Sequence, residues 1–315
     1  MLSRVADNLY CMSRYLERAE HTSRLLDVHL NLMLDMASQT VEQQRIKRLS
    51  DSLSLTDPSH GEGDDMLRRL TFDSQIPTSI ISTISSARDN ARQVREEISS
   101  EMWMQMNKLY LYVLHADANI IWRDSPHHFY LEVREGSHLF QGIADATMNH
   151  NQGWNFIQLG RYIERTFGLL HLLEVHFQDV DLRIKTEVNP ESFFEWVATL
   201  KSVTAYEAYC KVYNPNLQPV WMLEFLLFNT EFPRSLRFCV DMIQSSLNTL
   251  ADATTRSRNT RLYRIAGKLQ SNLRYDDIND ISDLHVYLEN IRQQIFQIHD
   301  TLYDTYISYP IETAL

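Results

Sequence analysis

The 315-residue chain has little of what breaks helices or cross-links a chain: it contains eight glycines, eight prolines and three cysteines. Tight turns depend on glycine and proline, so a fold with many strands and hairpins would need more of both. Period-two alternation of apolar and polar residues, the pattern of half-buried strands, is also hard to find. The sequence therefore argues against a sheet-rich architecture and predicts an all-α chain.

The three cysteines, Cys11, Cys210 and Cys239, are odd in number and far apart. Such spacing fits neither a disulfide framework nor a zinc motif. Apolar residues make up 44% of the chain, which is enough for a substantial core without cross-links. We therefore expect three unpaired thiols in the core, where free cysteines commonly lie.

Positive charge is also scarce, because 30 lysines and arginines face 41 aspartates and glutamates, a net charge of −11. A chain with this balance is repelled by nucleic-acid backbones and by anionic lipid. No stretch approaches the roughly 18 apolar residues of a membrane span, and Arg4 and Asp7 interrupt what would be the core of a signal peptide. We expect a soluble, cytoplasmic protein with neither a nucleic-acid nor a membrane partner.

Sequence motifs of known chemistry are absent as well. The chain has no G-x-x-x-x-G-K-[ST] phosphate loop, no G-x-S-x-G nucleophile elbow and no H-E-x-x-H zinc motif. A dimetal carboxylate bundle takes a Glu-x-x-His motif from each of two helices. Glu135 and His138 supply one such motif, but Arg292 and Ile295 stand at the matching positions later in the chain. We expect no metal site and no cofactor, and the sequence favours a protein that is not an enzyme.

Helical periodicity is what the chain does have. Apolar residues recur at intervals of three and four from Leu2 to Met33, which predicts a first helix of about 35 residues. The stretch TDPSHGEGDD at 56–65 is typical of a solvated loop. The capping sequences DSP and NPES predict further helices near 126–149 and 191–212.

One helical sequence occurs twice. RYLERAEHTSRLLDVH at 14–29 matches RYIERTFGLLHLLEVH at 161–176 with an offset of 147, since Arg161 minus Arg14 is 147. LTFDSQIPTSI at 70–80 matches LLFNTEFPRSL further on at an offset of 156, and HFYLE matches HVYLE at an offset of 157. Three matches in the same order are the signature of a duplicated unit.

The duplication predicts two tandem, pseudo-symmetric repeats of about 1–147 and 148–315. No linker rich in glycine, serine, proline or charge separates them, because GIADATMNHNQGWNFIQLGRY leads directly into the second copy of the helix. We therefore expect one domain over 1–315, a single large helical bundle, rather than two independent domains.

The repeated helix carries charged residues between two apolar faces. At roughly 100° per residue, Arg14 and Arg18 lie opposite the apolar seam of the first helix with Glu17 at their flank, and the second copy repeats the pattern. Two apolar faces indicate a central helix, in which unpaired charge would be unfavourable. The candidate central charged cluster consists of Arg14, Glu17, Arg18, Arg161, Glu164 and Arg165.

Two interpretations of this charged cluster stay open. In the structural one, the arginine and glutamate three residues apart in each copy form ion pairs, or the charges form an ionic lock between the repeats. In the functional one, Arg18 and Arg165 receive a carboxylate or phosphate in a pocket at the pseudo-twofold axis. The two glutamates of the cluster would then orient these arginines or receive an amine.

A second basic pattern lies outside the repeated helix. Arg88, Arg92 and Arg95 share a helix face in SARDNARQVREEISSEMW. Arg234 and Arg237 lie near a helix start in FPRSLRFC, where backbone N–H groups also favour anions. The five arginines are candidates for an anion-binding site if their helices converge. Otherwise the first three belong to a solvated face with nearby glutamates as partners.

Four stretches together resemble one family: MLSRVADNLYCMSRYLERAEHTSRLL, SARDNARQVREEISSEMW, WNFIQLGRYIER and LEFLLFNTEFPRSLRFC. They are similar to the bacterial alpha-E proteins, helical proteins of unknown molecular function named for a Glu-Arg motif, and the likeness covers essentially the whole chain. By this resemblance Glu17–Arg18 and Glu164–Arg165 are the namesake motif, to which the family attaches no accepted catalytic role. Cys11 departs from the family, whose members tend to have tryptophan there.

The resemblance also implies partners. Alpha-E proteins are typically encoded beside, or fused to, circularly permuted ATP-grasp proteins and transglutaminase-like proteins, which suggests a system that makes and breaks amide bonds. Three hypotheses follow: a non-catalytic or substrate-presenting partner of an ATP-grasp-type amide or peptide ligase, a hydrolase or transferase acting on amide bonds through a central Glu/Arg site, or a structural module for homo-oligomers. We favour the first, because no catalytic motif is present.

Overall fold

A computed structural model describes residues 1–34, 39–55, 63–183, 188, 192–254 and 261–308, apart from the side chains of 253 and 254. Within these ranges the chain is helical and has no β-strand, which confirms the all-α prediction. The α-helices are α1 (Ser3–Met33), α2 (Gln39–Ser52), α3 (Gly63–Phe72), α4 (Ile80–Gln93), α5 (Ser100–Leu114), α6 (Ala118–Asp124), α7 (Pro126–Thr147), α8 (Gln152–Phe177), α9 (Phe193–Lys201), α10 (Tyr206–Tyr213), α11 (Pro219–Phe228), α12 (Leu236–Thr254), α13 (Arg261–Tyr275) and α14 (Leu284–Leu302). Among the described residues, none of these helices combines the length and the apolar character that crossing a bilayer requires.

The long helices form where their sequences predict them. α1 contains neither glycine nor proline and extends over 31 residues, close to the expected length. α8 begins after Asn151, whose side chain accepts hydrogen bonds from the backbone N–H groups of Gly153 and Trp154. α7 begins with Pro126 in its first turn, where proline fits because no helical hydrogen bond is lost.

Two local predictions differ from the structure, one by an interruption and one at its end. The helix expected over 191–212 is divided into α9 and α10, because Thr204 adopts a left-handed backbone conformation, φ 56°, that interrupts a right-handed helix. The loop expected over 56–65 includes 56–62, which lie outside the described residues, and its last three residues already belong to α3. Gly63 begins that helix at φ 56°, which glycine adopts without steric cost.

The helices α1 and α8 pack against each other at the centre of the bundle. α1 also packs against α4 and α7, and α8 packs against α12 and α14. α5 contacts both α4 and α7, while α13 contacts both α12 and α14, so the two central helices have similar surroundings. Buried apolar side chains from both halves form one connected cluster. The two-repeat and the single-domain organisation both stay predictions.

The central pair approaches most closely at Gly160 of α8. A Cβ atom at this position would lie 2.4 Å from the backbone oxygen of Tyr10 and 3.1 Å from Cβ of Ser13 on α1. Glycine avoids this overlap because it has no Cβ. The close approach brings the two helices side by side just before their Glu-Arg motifs, so that charged side chains of one helix reach the other.

Candidate functional site

The Glu-Arg motifs of α1 and α8 pair with each other across the helix interface. Glu17 accepts hydrogen bonds from Nε and Nη2 of Arg165 at 2.6 and 2.9 Å. Glu164 accepts hydrogen bonds from Nε of Arg18 at 2.5 Å and from Nε of Arg14 at 2.8 Å. Within the described residues, neither glutamate pairs with the arginine three residues before it. The charges therefore connect two helices rather than successive turns of one.

Both motif glutamates are carboxylates at neutral pH. Burial raises the pKa of Glu17, but the positive charges of its two arginine partners outweigh burial and hold that pKa at about 2. Burial likewise raises the pKa of Glu164, and Arg14 and Arg18 outweigh it, so this pKa also lies below its usual value. A carboxylate held in this way has little affinity for a proton near pH 7, which makes it a poor general base or acid.

On the Glu17 side, the charges form a closed and buried network. Arg234, just before α12, donates to Oε1 of Glu17 at 3.2 Å and to Oε2 of Glu20 at 2.7 Å. Glu20 is fully buried, pairs also with Arg24, and lies 3.3 Å from Nε2 of His138. Burial raises the pKa of Glu20, but Arg234 and Arg24 bring it well below its usual value. Protein groups thus occupy the space beside the first motif.

Arg234 therefore has a different role from the one predicted for it. Its guanidinium neutralises two buried glutamates of the same chain, rather than being available to an external anion. Sequence reasoning missed Glu20 altogether. A signal was present, because spacings of three from Glu17 and four to Arg24 place these residues on one helix face.

Four predicted site arginines, Arg92, Arg95, Arg161 and Arg237, lie outside the ion pairs of the described residues. The buried Nε atoms of Arg161 and Arg237 have no hydrogen-bond partner there. The guanidinium of Arg161 lies 6.0 Å from the ring centre of Tyr162, and burial, followed by the charge of Arg165, lowers its pKa. Of the six residues in the predicted charged cluster, ion pairs join five, and Arg161 borders them.

The five arginines of the predicted anion site are not brought together. The guanidinium groups of Arg88 and Arg95 lie 5.5 and 5.3 Å from the ring centre of Trp103, in cation–π contacts. Arg234 donates to buried glutamates instead and shares no partner with them in the described part of the chain. Arg92 is exposed. The solvated-face interpretation describes the exposed Arg92 and Arg95, whereas Arg88 is half-buried and pairs with Asp89.

On the Glu164 side, the charges border a cavity of about 310 Å³. Its charged lining consists of Arg14, Arg18 and Glu164, and its apolar wall includes Phe167 and Phe296, whose ring centres lie 4.6 Å apart. The other lining residues are His21, Thr22, Ser52, Leu53, Ser54, Leu55, Leu70, Thr78, Gly168 and His171. The cavity is lined by Arg18 of the first motif and Glu164 of the second, but not by Arg165. The functional interpretation had expected one pocket for both Arg18 and Arg165.

Two histidines line this cavity. Nε2 of His21 is buried and has no hydrogen-bond partner among the described residues, and burial lowers the pKa of this histidine to about 4. A Cβ atom at Gly168 would lie 2.9 Å from that nitrogen, so the glycine makes space for the imidazole. His171 lies 3.1 Å from Oγ of Ser54, and burial, followed by Arg292, lowers its pKa. Both imidazoles are neutral near pH 7.

The cysteines are free thiols, as predicted, although Cys239 alone is fully buried and the other two are half-buried. Burial raises the pKa of Cys11 to about 11 and that of Cys239 to about 12. Sγ of Cys11 lies 3.2 Å from the hydroxyl of Tyr303, which donates to Asp7 at 2.7 Å. No cysteine lines the cavity beside Glu164, so its described walls offer no thiol nucleophile.

Comparison with known proteins places the chain in a family. Residues 1–307 match the family Alpha-E, described as a predicted alpha-helical domain with a conserved ER motif. Uncharacterized proteins of Mycobacterium bovis and of two strains of Mycobacterium tuberculosis are 25% identical over 340 aligned residues, which cover 98% of the chain and 37% of each relative. The chain thus spans little more than a third of the length of these curated relatives, and no solved structure matches it. The description names a conserved ER motif, Glu-Arg pairs of this chain meet across α1 and α8, and the chain belongs to the Alpha-E family.

Proposed function

We propose that this protein is a non-catalytic, substrate-presenting partner of an ATP-grasp-type amide or peptide ligase. The observation that carries the proposal is the cavity of about 310 Å³ beside Arg18 and Glu164. A volume of this size suits a ligand of amino-acid or dipeptide dimensions. Arg14 and Arg18 border the cavity, and the carboxylate in its wall, that of Glu164, already forms ion pairs with both. This combination favours holding a substrate over transforming it.

The identity of the partner rests on the resemblance to alpha-E proteins, which are typically encoded beside or fused to circularly permuted ATP-grasp proteins. In such a pair the ligase would bind ATP and this chain would bind the acceptor. The sequence agrees with these roles, because it has no phosphate-binding loop motif. The curated relatives have most of their length outside the matching region, as fusion to a further domain would require. Homo-oligomerisation and a transglutaminase-like partner stay predictions.

Acid–base catalysis on an amide is the second candidate, and one observation favours it: Glu164 lines the cavity, whereas Glu17 does not. The low pKa of Glu164 argues against this candidate, since a general base works best when its pKa lies near the operating pH. Catalysis would require a bound substrate to displace Arg14 or Arg18 from the carboxylate. A presenting role requires no such rearrangement.

Co-purification with the ATP-grasp protein encoded nearest to this chain tests the proposal. We expect the two proteins to co-elute in size-exclusion chromatography, and the complex to hydrolyse ATP in an acceptor-dependent manner that neither protein shows alone. Separate elution together with unchanged ATP turnover would contradict a partnership.

A glutamine variant of Glu164 separates the two candidates in the same assay. If the protein only presents the acceptor, Glu164→Gln should change the KM for the acceptor and leave kcat within about threefold. In that role the carboxylate only orients the arginines that bind the acceptor. Catalysis predicts a loss of kcat of about 100-fold or more. Glu97→Gln, a change of the same chemistry at an exposed position, is the matched control.

A further inference from the structure

The two motif glutamates have unequal surroundings, and the predicted repeat identifies which residues differ. With the offset of 147 for the central helices and 156 for the segment before α4 and α12, four residues around Glu17 align with four in the wall of the cavity beside Glu164. The aligned pairs are Glu20 and Phe167, His21 and Gly168, Arg24 and His171, and Arg234 and Thr78.

Two of these exchanges, those of Arg234 with Thr78 and of Glu20 with Phe167, bear most directly on the cavity, since His21 itself lies in its wall. Beside Glu17, the guanidinium of Arg234 bridges two glutamates and fills the space between them. Beside Glu164, Thr78 stands at the aligned position and has no side chain long enough to reach the motif. Phe167 replaces a buried carboxylate with an aromatic wall. The cavity therefore lies beside the motif whose aligned position has threonine in place of Arg234.

The charges around the cavity do not balance. Arg14 and Arg18 carry two positive charges and Glu164 carries one negative charge, while the imidazoles of His21 and His171 are neutral. Among the described residues, no other charged side chain lines the cavity. One negative charge would complete it, and a dianion would be repelled by Glu164 once that single excess charge was neutralised.

Arg18 has free donors for such an anion. Its hydrogen bond to Glu164 uses Nε, and no hydrogen bond within the described residues occupies its two terminal nitrogens. The side chain is 32% exposed, compared with 9% for Arg165 at the other motif, so a ligand has access to it. The hydroxyl of Ser54, which lies 3.1 Å from Nδ1 of His171, is a further polar group in the wall of the same cavity.

Part of the remaining wall is apolar. Phe167 and Phe296 form a tilted ring pair, and Leu53, Leu55 and Leu70 line the cavity with them. A ligand that fills this cavity therefore combines one negative charge with an apolar group. An inorganic anion satisfies the first requirement and leaves the apolar wall without a partner.

We propose that the cavity binds a monocarboxylate of single-residue to dipeptide size, with its carboxylate on the terminal nitrogens of Arg18 and its apolar side chain against Phe167 and Phe296. The ligand chemistry is that of an apolar amino acid or of a peptide C-terminal residue. The inference deepens the proposed function and rests on it in one respect: the ligand would be the acceptor that the chain presents to the ligase. Binding itself needs no partner protein.

Calorimetric titration of the full chain with N-acetyl-L-phenylalanine, L-phenylalanine, glycyl-L-phenylalanine and N-acetyl-L-phenylalanine amide tests the proposal. We expect at least one of the three carboxylates to bind with a stoichiometry of one and the amide to bind at least about tenfold more weakly. The preferred carboxylate distinguishes a free amino acid from a peptide end. Inorganic phosphate, as a second control, is expected to bind more weakly than the preferred carboxylate. Equal binding of acid and amide, tighter binding of phosphate, or no binding of any carboxylate overturns the proposal.

Two variants locate the binding. Arg18→Gln is expected to weaken carboxylate binding at least about tenfold, and Arg4→Gln, an exposed arginine of the same helix, is expected to have no effect. Thr78→Arg copies the closed motif and should abolish binding, while Gln75→Arg adds the same charge at a nearby exposed position without such an effect. Helicity by circular dichroism and the thermal midpoint establish that each variant is folded. If folded Thr78→Arg binds like wild type, the cavity is not the site.

The proposal and the proposed function fail separately. If the chain binds a carboxylate but does not co-elute with the ATP-grasp protein, the proposed partnership is contradicted and the proposed binding site is supported. The opposite result is co-elution with acceptor-dependent ATP turnover, but no carboxylate binding to the chain and no effect of Thr78→Arg. It contradicts the proposed binding site and supports the partnership.

Discussion

Glu17 on α1 accepts two hydrogen bonds from Arg165 on α8, 148 residues later in the chain, at 2.6 and 2.9 Å. Glu164 on α8 pairs in the reverse direction with Arg18 on α1 at 2.5 Å. Each copy of the motif thus supplies a carboxylate and a guanidinium to the other. The motif joins two central helices, and its two sides differ in what surrounds them.

Glu17→Gln is expected to destabilise the protein by about 3–5 kcal/mol, because it leaves Arg165 and Arg234 buried without their counter-charge. Glu164→Gln should cost less, about 1–3 kcal/mol, since its partners Arg14 and Arg18 are 19% and 32% exposed and retain water. Urea denaturation of both variants measures the two free energies of unfolding. A larger loss for Glu164→Gln would contradict this account of the closed and open sides.

Gly160→Ala is expected to destabilise the protein by at least about 2 kcal/mol, because the added Cβ would overlap the backbone oxygen of Tyr10 and force α1 and α8 apart. Gly142→Ala on α7 is the matched control, with nothing within 4 Å of the added methyl group. There the higher helix propensity of alanine should stabilise the protein by about 0.5–1 kcal/mol. Thermal unfolding of the two variants should shift in opposite directions, and a shared direction would refute the close approach.

Stability should begin to fall below about pH 6.5 because of buried histidines, and two of these, His29 and His176, lie outside the cavity beside Glu164. Burial, followed by the charge of Arg45 for His29 and of Arg48 for His176, lowers each pKa from 6.5 to about 4. The unfolded chain therefore takes up these protons first, so the stability from the neutral histidines is complete above pH 6.5 and is lost as the pH falls towards 4. Each histidine contributes at most about 3 kcal/mol.

The measurement is the thermal midpoint between pH 7.5 and pH 4.5. The double variant His29→Leu/His176→Leu should lose less of its midpoint over this interval than the wild type, and His128→Leu, at an exposed position, should behave like the wild type. Glu17 acts in a lower window, because its pKa of about 2 makes its contribution complete above 4.5 and lost below that value. If the double variant and the wild type have the same pH dependence, His29 and His176 are not responsible for it.

Cys11 and Cys239 should react slowly with iodoacetamide in the folded protein at pH 8. Raised pKa values of about 11 and 12, against 9.0 in the unfolded chain, reduce the thiolate fraction by about 100-fold and 1,000-fold. Labelling followed by peptide mass spectrometry compares native protein with protein in urea. Equal rates at either cysteine in the two conditions would contradict its burial.

Much of the fold could be predicted, because helix formation depends on nearby residues. The apolar intervals of three and four residues predicted α1, and the capping sequence DSP predicted the start of α7. The division of the helix expected at 191–212 was missed, since the left-handed backbone of Thr204 has no strong sequence signal in a residue other than glycine or asparagine. Glu20 was missed although its spacing from Glu17 and Arg24 was a signal, because spacing does not show whether a carboxylate is buried.

The sequence by itself determined an all-α chain with two matched helices and charged residues between their apolar faces, since periodicity and composition are properties of local segments. Only the tertiary structure decided which charges meet, because the pairing of Glu17 with Arg165 depends on the rotation and axial position of α1 against α8. The same packing decided that Arg234 pairs with two buried glutamates beside one motif, while a cavity lined by Thr78 lies beside the other. The long side chain of Arg234 reaches the buried carboxylates of Glu17 and Glu20, whereas no such arginine pairs with Glu164 from that segment, and a cavity lies there instead.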